Sequence, residues 1–331
     1  MRSFEHVNAS SVKEASRLLE EYKGKAVAIA GGTDLLSVLK DRILPSYPEL
    51  LVNLKTIPGL DSIKKTSRGV SIGAMTRLAD TAASSLISEE YPALARAAWS
   101  VGTPQLRNMG TIGGNLCQDV RCWYYRYPHH LGGRMICHRK GKGPCFALKG
   151  DNRYSAVVGT KTCYAVCPSD TATALAALDA EVRVAGPGGV RSVPVTDMYT
   201  PTGICLEPGE VVKEIRLGRL PQNARQSYLK FTSRKPVDFA LVSVASVAAV
   251  KDGVCRKVSI ALGGVAPGPF RAKAAEQILE GRPFDSKTIH EAADAALADA
   301  RPFGKNGYKV ALAKEIIIRA LLALDRRGDA G

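Results

Sequence analysis

Acidic side chains and aromatic rings are both in short supply in this chain. Against 46 lysines and arginines stand 31 aspartates and glutamates, a net charge of +15, and Phe, Trp and Tyr make up only 6% of the residues. Such an excess of cations points to an anionic ligand or an acidic partner. Few stacking rings, and no zinc finger, RNP-like stretch or recognition-helix pattern, argue against nucleic acid, leaving a basic nucleic-acid-binding protein as the residual alternative. No apolar run approaches the roughly 18 residues of a membrane span. Nor is there an apolar leader with a small-residue cleavage site, since Met1-Arg2-Ser3-Phe4 leads into a helical pattern; a cytoplasmic chain without a membrane span is expected. Neither G-x-G-x-x-G nor a P-loop lysine occurs, so a Rossmann fingerprint and a Walker motif are set aside. No Ser, Cys or His stands in a nucleophile–base arrangement, and no catalytic residue is assigned.

What the chain does contain is concentrated in one stretch. Six of its eight cysteines, Cys117, Cys122, Cys137, Cys145, Cys163 and Cys167, lie between Thr111 and Asp170. The stretch is also basic, with Asp151 the one acid between Arg121 and Lys161. Disulfides suit a small secreted domain. Zinc favours short paired spacings such as C-x-x-C, which are missing here. Buried free thiols are the plainest reading. An iron–sulfur cluster needs four thiolates and tolerates wide spacing, because the inorganic core holds the geometry. Spacing alone does not choose among these.

Read in order, Ser11-Val12-Lys13-Glu14 is a capping box, and Val12, Ala15, Leu18, Leu19 and Tyr22 share a helical face that ends near Gly24. Ala26–Ala30 is a short apolar strand running into Gly31-Gly32-Thr33-Asp34-Leu35-Leu36, where glycine permits close backbone approach to an anion. Strands are predicted at 50–54 and 70–74, helices at 78–85 and 93–101, and then a second glycine turn, Thr111-Ile112-Gly113-Gly114-Asn115. Two such turns flanking a small α/β unit suit one extended phosphate-bearing ligand. Beyond the cysteines come a helix at 170–180, a hairpin around Gly186-Pro187-Gly188-Gly189, a strand at 211–217 and a linker at 220–223. Strands at 228–232, 241–250 and 254–262 precede helices at 272–280, 287–300 and 308–325.

Ala30-Gly31-Gly32-Thr33-Asp34-Leu35, Thr111-Ile112-Gly113-Gly114-Asn115, Ser169-Asp170 and Tyr228-Leu229-Lys230-Phe231-Thr232-Ser233-Arg234, in that order, resemble the FAD-binding medium subunit of the xanthine dehydrogenase family of molybdenum hydroxylases. The resemblance covers essentially the whole chain. It implies an α+β fold: a PCMH-type (vanillyl-alcohol-oxidase-like) FAD-binding domain in two lobes over 1–222, and a CO dehydrogenase flavoprotein-like C-terminal domain over 223–331. FAD would be held at Ile29, Ala30, Gly31, Gly32, Thr33, Asp34, Leu35 and Leu36, at Val101 and Gly102, and at Thr111, Ile112, Gly113, Gly114 and Asn115. Ser169, Asp170 and Lys230 would complete the site.

About forty extra residues separate the second glycine turn from Ser169-Asp170. This insertion, about 117–167, is similar to that of the β subunit of 4-hydroxybenzoyl-CoA reductase, which carries a 4Fe–4S cluster. Matching the pattern implies Cys122, Cys137, Cys145 and Cys163 as cluster ligands, with Cys167 as the alternative to Cys163. Cys117 would pack beside the flavin, and Cys205 and Cys255 would be free buried thiols. The implied partners are a small 2Fe–2S subunit and a large molybdopterin subunit that turns over the substrate, with an acidic ferredoxin as external carrier. A xanthine dehydrogenase-type hydroxylase of a heterocycle is the alternative complex. Arg126, Arg134, Arg139, Lys140, Lys142 and Lys149 are expected to point into water as a positive collar for the ferredoxin.

Overall fold

A computed structural model describes residues 1–325 apart from 133–134, 160–161 and 235–236. The first lobe is a small parallel sheet of β1 (Glu5–Asn8), β2 (Ala26–Ile29) and β3 (Leu50–Asn53), in the order β1-β3-β2. The N-terminus thus forms a strand before the first helix, against expectation, because Val7 pairs with Val52 at a sheet edge. Helix α1 (Val12–Glu21) buries Ala15 and Leu19 against this sheet. The Ser11 hydroxyl caps it by accepting from the Glu14 amide at 3.1 Å, whereas the Glu14 carboxylate reaches Ser10 instead of closing the box on Ser11. A short helix, α2 (Leu35–Lys40), follows the first glycine loop.

The second lobe is antiparallel. Its strands are β4 (Ile63–Thr66), β5 (Gly69–Gly73), β6 (Glu181–Gly186), β7 (Gly189–Pro194) and, after a two-stranded ribbon of β8 (Tyr199–Thr200) and β9 (Gly203–Ile204), β10 (Val211–Gly218). They run in the order β4-β5-β10-β6-β7, so β10 closes the gap between two segments a hundred residues apart in sequence. Between β5 and the insertion come α3 (Leu78–Ala83), α4 (Ser85–Glu90), α5 (Pro92–Trp99), α6 (Pro104–Met109) and α7 (Ile112–Leu116). The helix expected over 78–85 breaks at Ser84, whose hydroxyl caps α4. The second glycine turn is likewise a turn of helix, capped by the Thr111 hydroxyl. Helix α8 (Asp170–Ala177) is buried along its whole length, which its alanines and threonines allow because small side chains let sheets approach on more than one side.

The C-terminal part is a meander of β11 (Arg225–Phe231), β12 (Val242–Lys251), β13 (Val254–Gly263) and β14 (Phe270–Arg271). Helices α9 (Lys273–Leu279), α10 (Ser286–Ala296) and α11 (Tyr308–Asp325) cover it. Val244, Ile260 and Leu262 pack there against Ile289, Ile317 and Leu321.

The insertion contains no strand or α-helix among its described residues, only 3₁₀ turns at His129–Leu131, His138–Lys140 and Phe146–Leu148. Its returning arm lies on the C-terminal domain. Val157 N–H donates to Val265 O at 2.8 Å, and the buried Lys309 donates to Tyr154 O at 2.9 Å and Gly264 O at 2.8 Å. Burial pushes the Lys309 ammonium down to about 7.

Candidate functional site

A cavity of about 870 Å³ opens between the two lobes. Ala30, Gly31, Gly32, Thr33, Asp34 and Leu35 form one wall, and Thr111, Gly113, Gly114 and Asn115 the facing one; Val101, Gly102, Asp170 and Lys230 also line it. Four expected residues stand outside this lining. Ile29 and Ile112 are core residues, Leu36 is exposed, and Ser169 lies one layer back, donating to Asn115 Oδ1 at 2.6 Å and so orienting a residue that does line the cavity.

The glycines explain how two loops eighty residues apart come this close. A Cβ on Gly31 would sit 1.9 Å from Met109 O, at the end of α6, so the two backbones touch there. Gly32 has φ +71°, a conformation other residues adopt only under strain. On the facing wall a Cβ on Gly113 would meet Ala74 at 2.8 Å. The glycines therefore serve the packing of the cradle as much as access to it.

The loop's one acid is already neutralised. Arg121 and Arg126 contact Asp34 Oδ1 at 2.8 and 2.7 Å, and the Asp119 amide donates to Asp34 Oδ2 at 2.7 Å. The backbone of residues 31–35 is thus presented to the cavity without a free carboxylate, which suits a negatively charged pyrophosphate. Lys230, expected as a charge beside the flavin, is buried and spent on a partner: its Nζ lies 2.6 Å from Asp170 Oδ2 and donates to Ser100 O at 2.9 Å. Tyr228 donates to the other Asp170 oxygen at 2.7 Å. Burial raises the Asp170 carboxyl while Lys230 and Tyr228 pull it back. The three residues join α8 to β11, and with them the two domains.

A second, smaller cavity is lined by all four cysteines singled out in the insertion, Cys122, Cys137, Cys145 and Cys163. Tyr124, Phe146 and Arg139 complete much of its wall, and no carboxylate among the described residues lines it. Cys167 lies elsewhere, buried in the main core near Tyr199. Cys117 lines the large cavity, where burial pushes its thiol up to about 12. Cys255 is buried in β13 and Cys205 half-buried, both as free thiols. Among the described residues no three His, Cys, Asp or Glu side chains converge closely enough for one metal ion. Four thiols without an acid are nonetheless the donor set of a cubane, whose ligands bind separate irons and so stand further apart.

The expected collar is only partly one. Arg126 and Arg139 are turned inward, with side chains 15% and 10% exposed and paired to Asp34 and Asp119. Lys140 is buried against the Tyr125 ring, 5.3 Å from its centroid. Lys142 and Lys149 do face water, and Arg134 lies outside the described residues. Sequence alone turns these cations to water because Asp151 is the one acid between Arg121 and Lys161; Asp34 comes from another lobe, and Asp119 precedes that stretch. Sequence reasoning also missed Asp119, Arg121 and Tyr125 as wall residues. Their one signal was an acid beside Arg121-Cys122.

A backbone cradle of this size falls within the range of cofactor pockets. Residues 2–220 match the FAD binding domain in molybdopterin dehydrogenase, and residues 227–324 the CO dehydrogenase flavoprotein C-terminal domain. The chain is 35% identical to the aldehyde oxidoreductase FAD-binding subunit PaoB of Escherichia coli (strain K12), covering 97% of this chain and 98% of that one. It is 30% identical to the carbon monoxide dehydrogenase medium chain of Hydrogenophaga pseudoflava, over 97% and 96% of the two chains. A solved structure of the carbon monoxide dehydrogenase from that organism superposes with a TM-score of 0.78 at 31% identity, covering 98% of this chain and 97% of its own. The chain belongs to the FAD-binding medium subunits of the molybdenum hydroxylase (xanthine and CO dehydrogenase) family. It is an oxidoreductase subunit whose cofactor is FAD. Among the described residues no helix is long and apolar enough to cross a membrane.

Proposed function

We propose that this chain is the electron relay of its complex, holding FAD in the large cavity and a 4Fe–4S cluster in the small one. The observation that carries the reading is the convergence of Cys122, Cys137, Cys145 and Cys163, spread over 42 positions of irregular chain, on one cavity lined by no carboxylate among the described residues. FAD, when bound, supplies the redox chemistry. The chain's residues bind and orient: the backbone at 31–35 and 111–115 receives the pyrophosphate, and Asp170 and Lys230 form a fixed polar floor. We divide the chain at 222/223, and place it in the cytoplasm with a small 2Fe–2S subunit and a large molybdopterin subunit that holds the substrate. Its insertion resembles that of 4-hydroxybenzoyl-CoA reductase, which favours an acidic ferredoxin as the external carrier.

Likeness to an aldehyde oxidoreductase subunit over nearly the whole chain favours a second reading of the complex, oxidation of an aldehyde with electrons leaving through this subunit. The xanthine dehydrogenase-type reading rests on weaker likeness, 24% identity over 89% of the chain.

The test is cofactor content of the purified protein. Each of Cys122→Ser, Cys137→Ser, Cys145→Ser and Cys163→Ser should lose about four irons per chain while keeping FAD. Cys167→Ser and Cys255→Ser should keep their iron. Gly32→Val should lose FAD. Wild-type protein without iron, or iron retained in all four serine variants, refutes the cluster; stoichiometric FAD in Gly32→Val refutes the assigned cradle.

A further inference from the structure

The two cavities share a wall. Tyr125 and Arg139 line both of them. Beside them in the wall of the large cavity, Asp119 accepts from Arg139 Nε at 3.1 Å, lies 3.0 Å from its Nη2, and also accepts from the Tyr125 hydroxyl. The Arg139 guanidinium lies 5.5 Å from the Tyr125 ring centroid and lines the small cavity together with Cys163, where burial raises the thiol and Arg139 pulls it back. The Asp119 backbone amide in turn donates to Asp34 in the first glycine loop. One hydrogen-bonded chain, Asp34–Asp119–Arg139, therefore runs from the first glycine loop to the wall of the cysteine cavity. Arg139 is held by Asp119 and Tyr125, is nearly buried, and lines both cavities, whereas Cys163 lines the small one alone.

Resting on the reading that the four cysteines hold a 4Fe–4S cluster, we propose that Arg139 is the positioning charge that sets the cluster's reduction potential, with Asp119 and Tyr125 fixing its place in the wall between cluster and flavin. The physical reason is Coulombic. Reduction adds one negative charge to a thiolate-ligated group that is already anionic. A fixed, largely buried cation beside the ligands stabilises the reduced form more than the oxidised one and raises the potential. An aspartate in the same wall acts in the opposite sense, tempering the cation it positions. A wall built only for packing would need neither charge, since an apolar pair fills the same space without the cost of burying ions. Arginine suits the place better than lysine, because its planar fork engages Asp119 with two nitrogens while its face lies on Tyr125.

The test uses the full chain purified with its cofactors, as wild type, Arg139→Gln, Arg139→Lys and Asp119→Asn. Iron and FAD are quantified, and the potential of the iron–sulfur signal is titrated by EPR, a readout independent of turnover. Arg139→Gln should keep iron and FAD, and its reduced-to-oxidised ratio at fixed potential should fall about tenfold, equivalent to about 59 mV for one electron. Arg139→Lys should recover most of that shift. Asp119→Asn should move the potential upward, since it removes the opposing charge. If Arg139→Gln loses its iron, the direction of the Asp119→Asn shift decides alone: upward supports the role, and no shift or a downward one overturns it. Unchanged potentials in an iron-loaded Arg139→Gln protein overturn it while leaving the cluster standing. Wild-type protein without iron overturns the cluster reading, and the role of Arg139 with it.

Discussion

The flavin cradle and the cysteine insertion touch each other, yet they are stabilised in different ways. The cradle sits where regular elements end: β2, α6, α7 and α8 each deliver one loop or cap to it, and behind them lies the large core containing Ile72, Leu94, Ile112 and Leu175. The insertion has a small apolar cluster of Val120, Tyr125, Cys163 and Ala165, completed by Val38 and Ile43 from the first lobe. With few apolar residues and few repeating backbone hydrogen bonds, its conformation leans on ion pairs, tyrosine hydroxyls and side chain-to-carbonyl bonds. A segment of this kind gains much from a group that crosslinks it, as zinc does in small domains. The cradle gains from its ligand mainly by mass action on an already folded frame.

The largest effect that bears on this contrast is expected in the cradle. Asp170→Ala leaves Lys230 buried without its ion-pair partner, and breaking a buried pair in this way costs about 3–5 kcal/mol. The measurement is the urea midpoint of the full chain. A loss below about 1 kcal/mol would show that water reaches Lys230 and that the floor of the cradle is not the rigid element described. The Asp170→Asn, Lys230→Met double variant should recover a substantial part of the loss, because both buried charges are then gone.

An intermediate effect is expected at the seam between the regions. Arg126→Ala removes a partly buried guanidinium that bonds Asp34, Val120 O and Asp119 O, a loss of about 2 kcal/mol by the usual worth of hydrogen bonds to charged groups. Hydrogen exchange should speed in residues 119–131 more than in β5, β10 or β12. Equal acceleration in the strands would mean that insertion and lobes unfold as one unit.

The smallest effect belongs to the outer face of the insertion. Lys142 and Lys149 are exposed, so their joint reversal to Glu should change stability by less than about 0.5 kcal/mol. Reduction by an acidic ferredoxin should slow in the same variant, and salt should slow wild type towards it. A rate indifferent to both would move the docking site off this face.

Much of the framework was legible from residue order. Helix α11 falls on its expected span of Tyr308–Asp325, and β12, β13 and the hairpin of β6 and β7 lie within a residue or two of theirs, since α11 is rich in Ala, Leu, Lys and Glu, the strands are rich in Val, and glycine turns bound the hairpins. Strands β1 and β4 were missed: both are short edge strands with polar or charged residues, and only their neighbours make them strands. The two glycine loops and the Ser169-Asp170 pair were readable because close backbone approach and helix capping are local demands on residue type. Local patterning thus determined many of the elements and the cradle loops. Tertiary structure alone decided which charges are free. Asp34 and Arg126 are 92 positions apart, and Asp170 and Lys230 are 60 apart. A buried ion pair depends on where the chain returns, and that follows from the packing of whole sheets, which no stretch of a few residues encodes. The same reason placed Arg139, read in sequence as a solvated cation, in the wall between the two cavities.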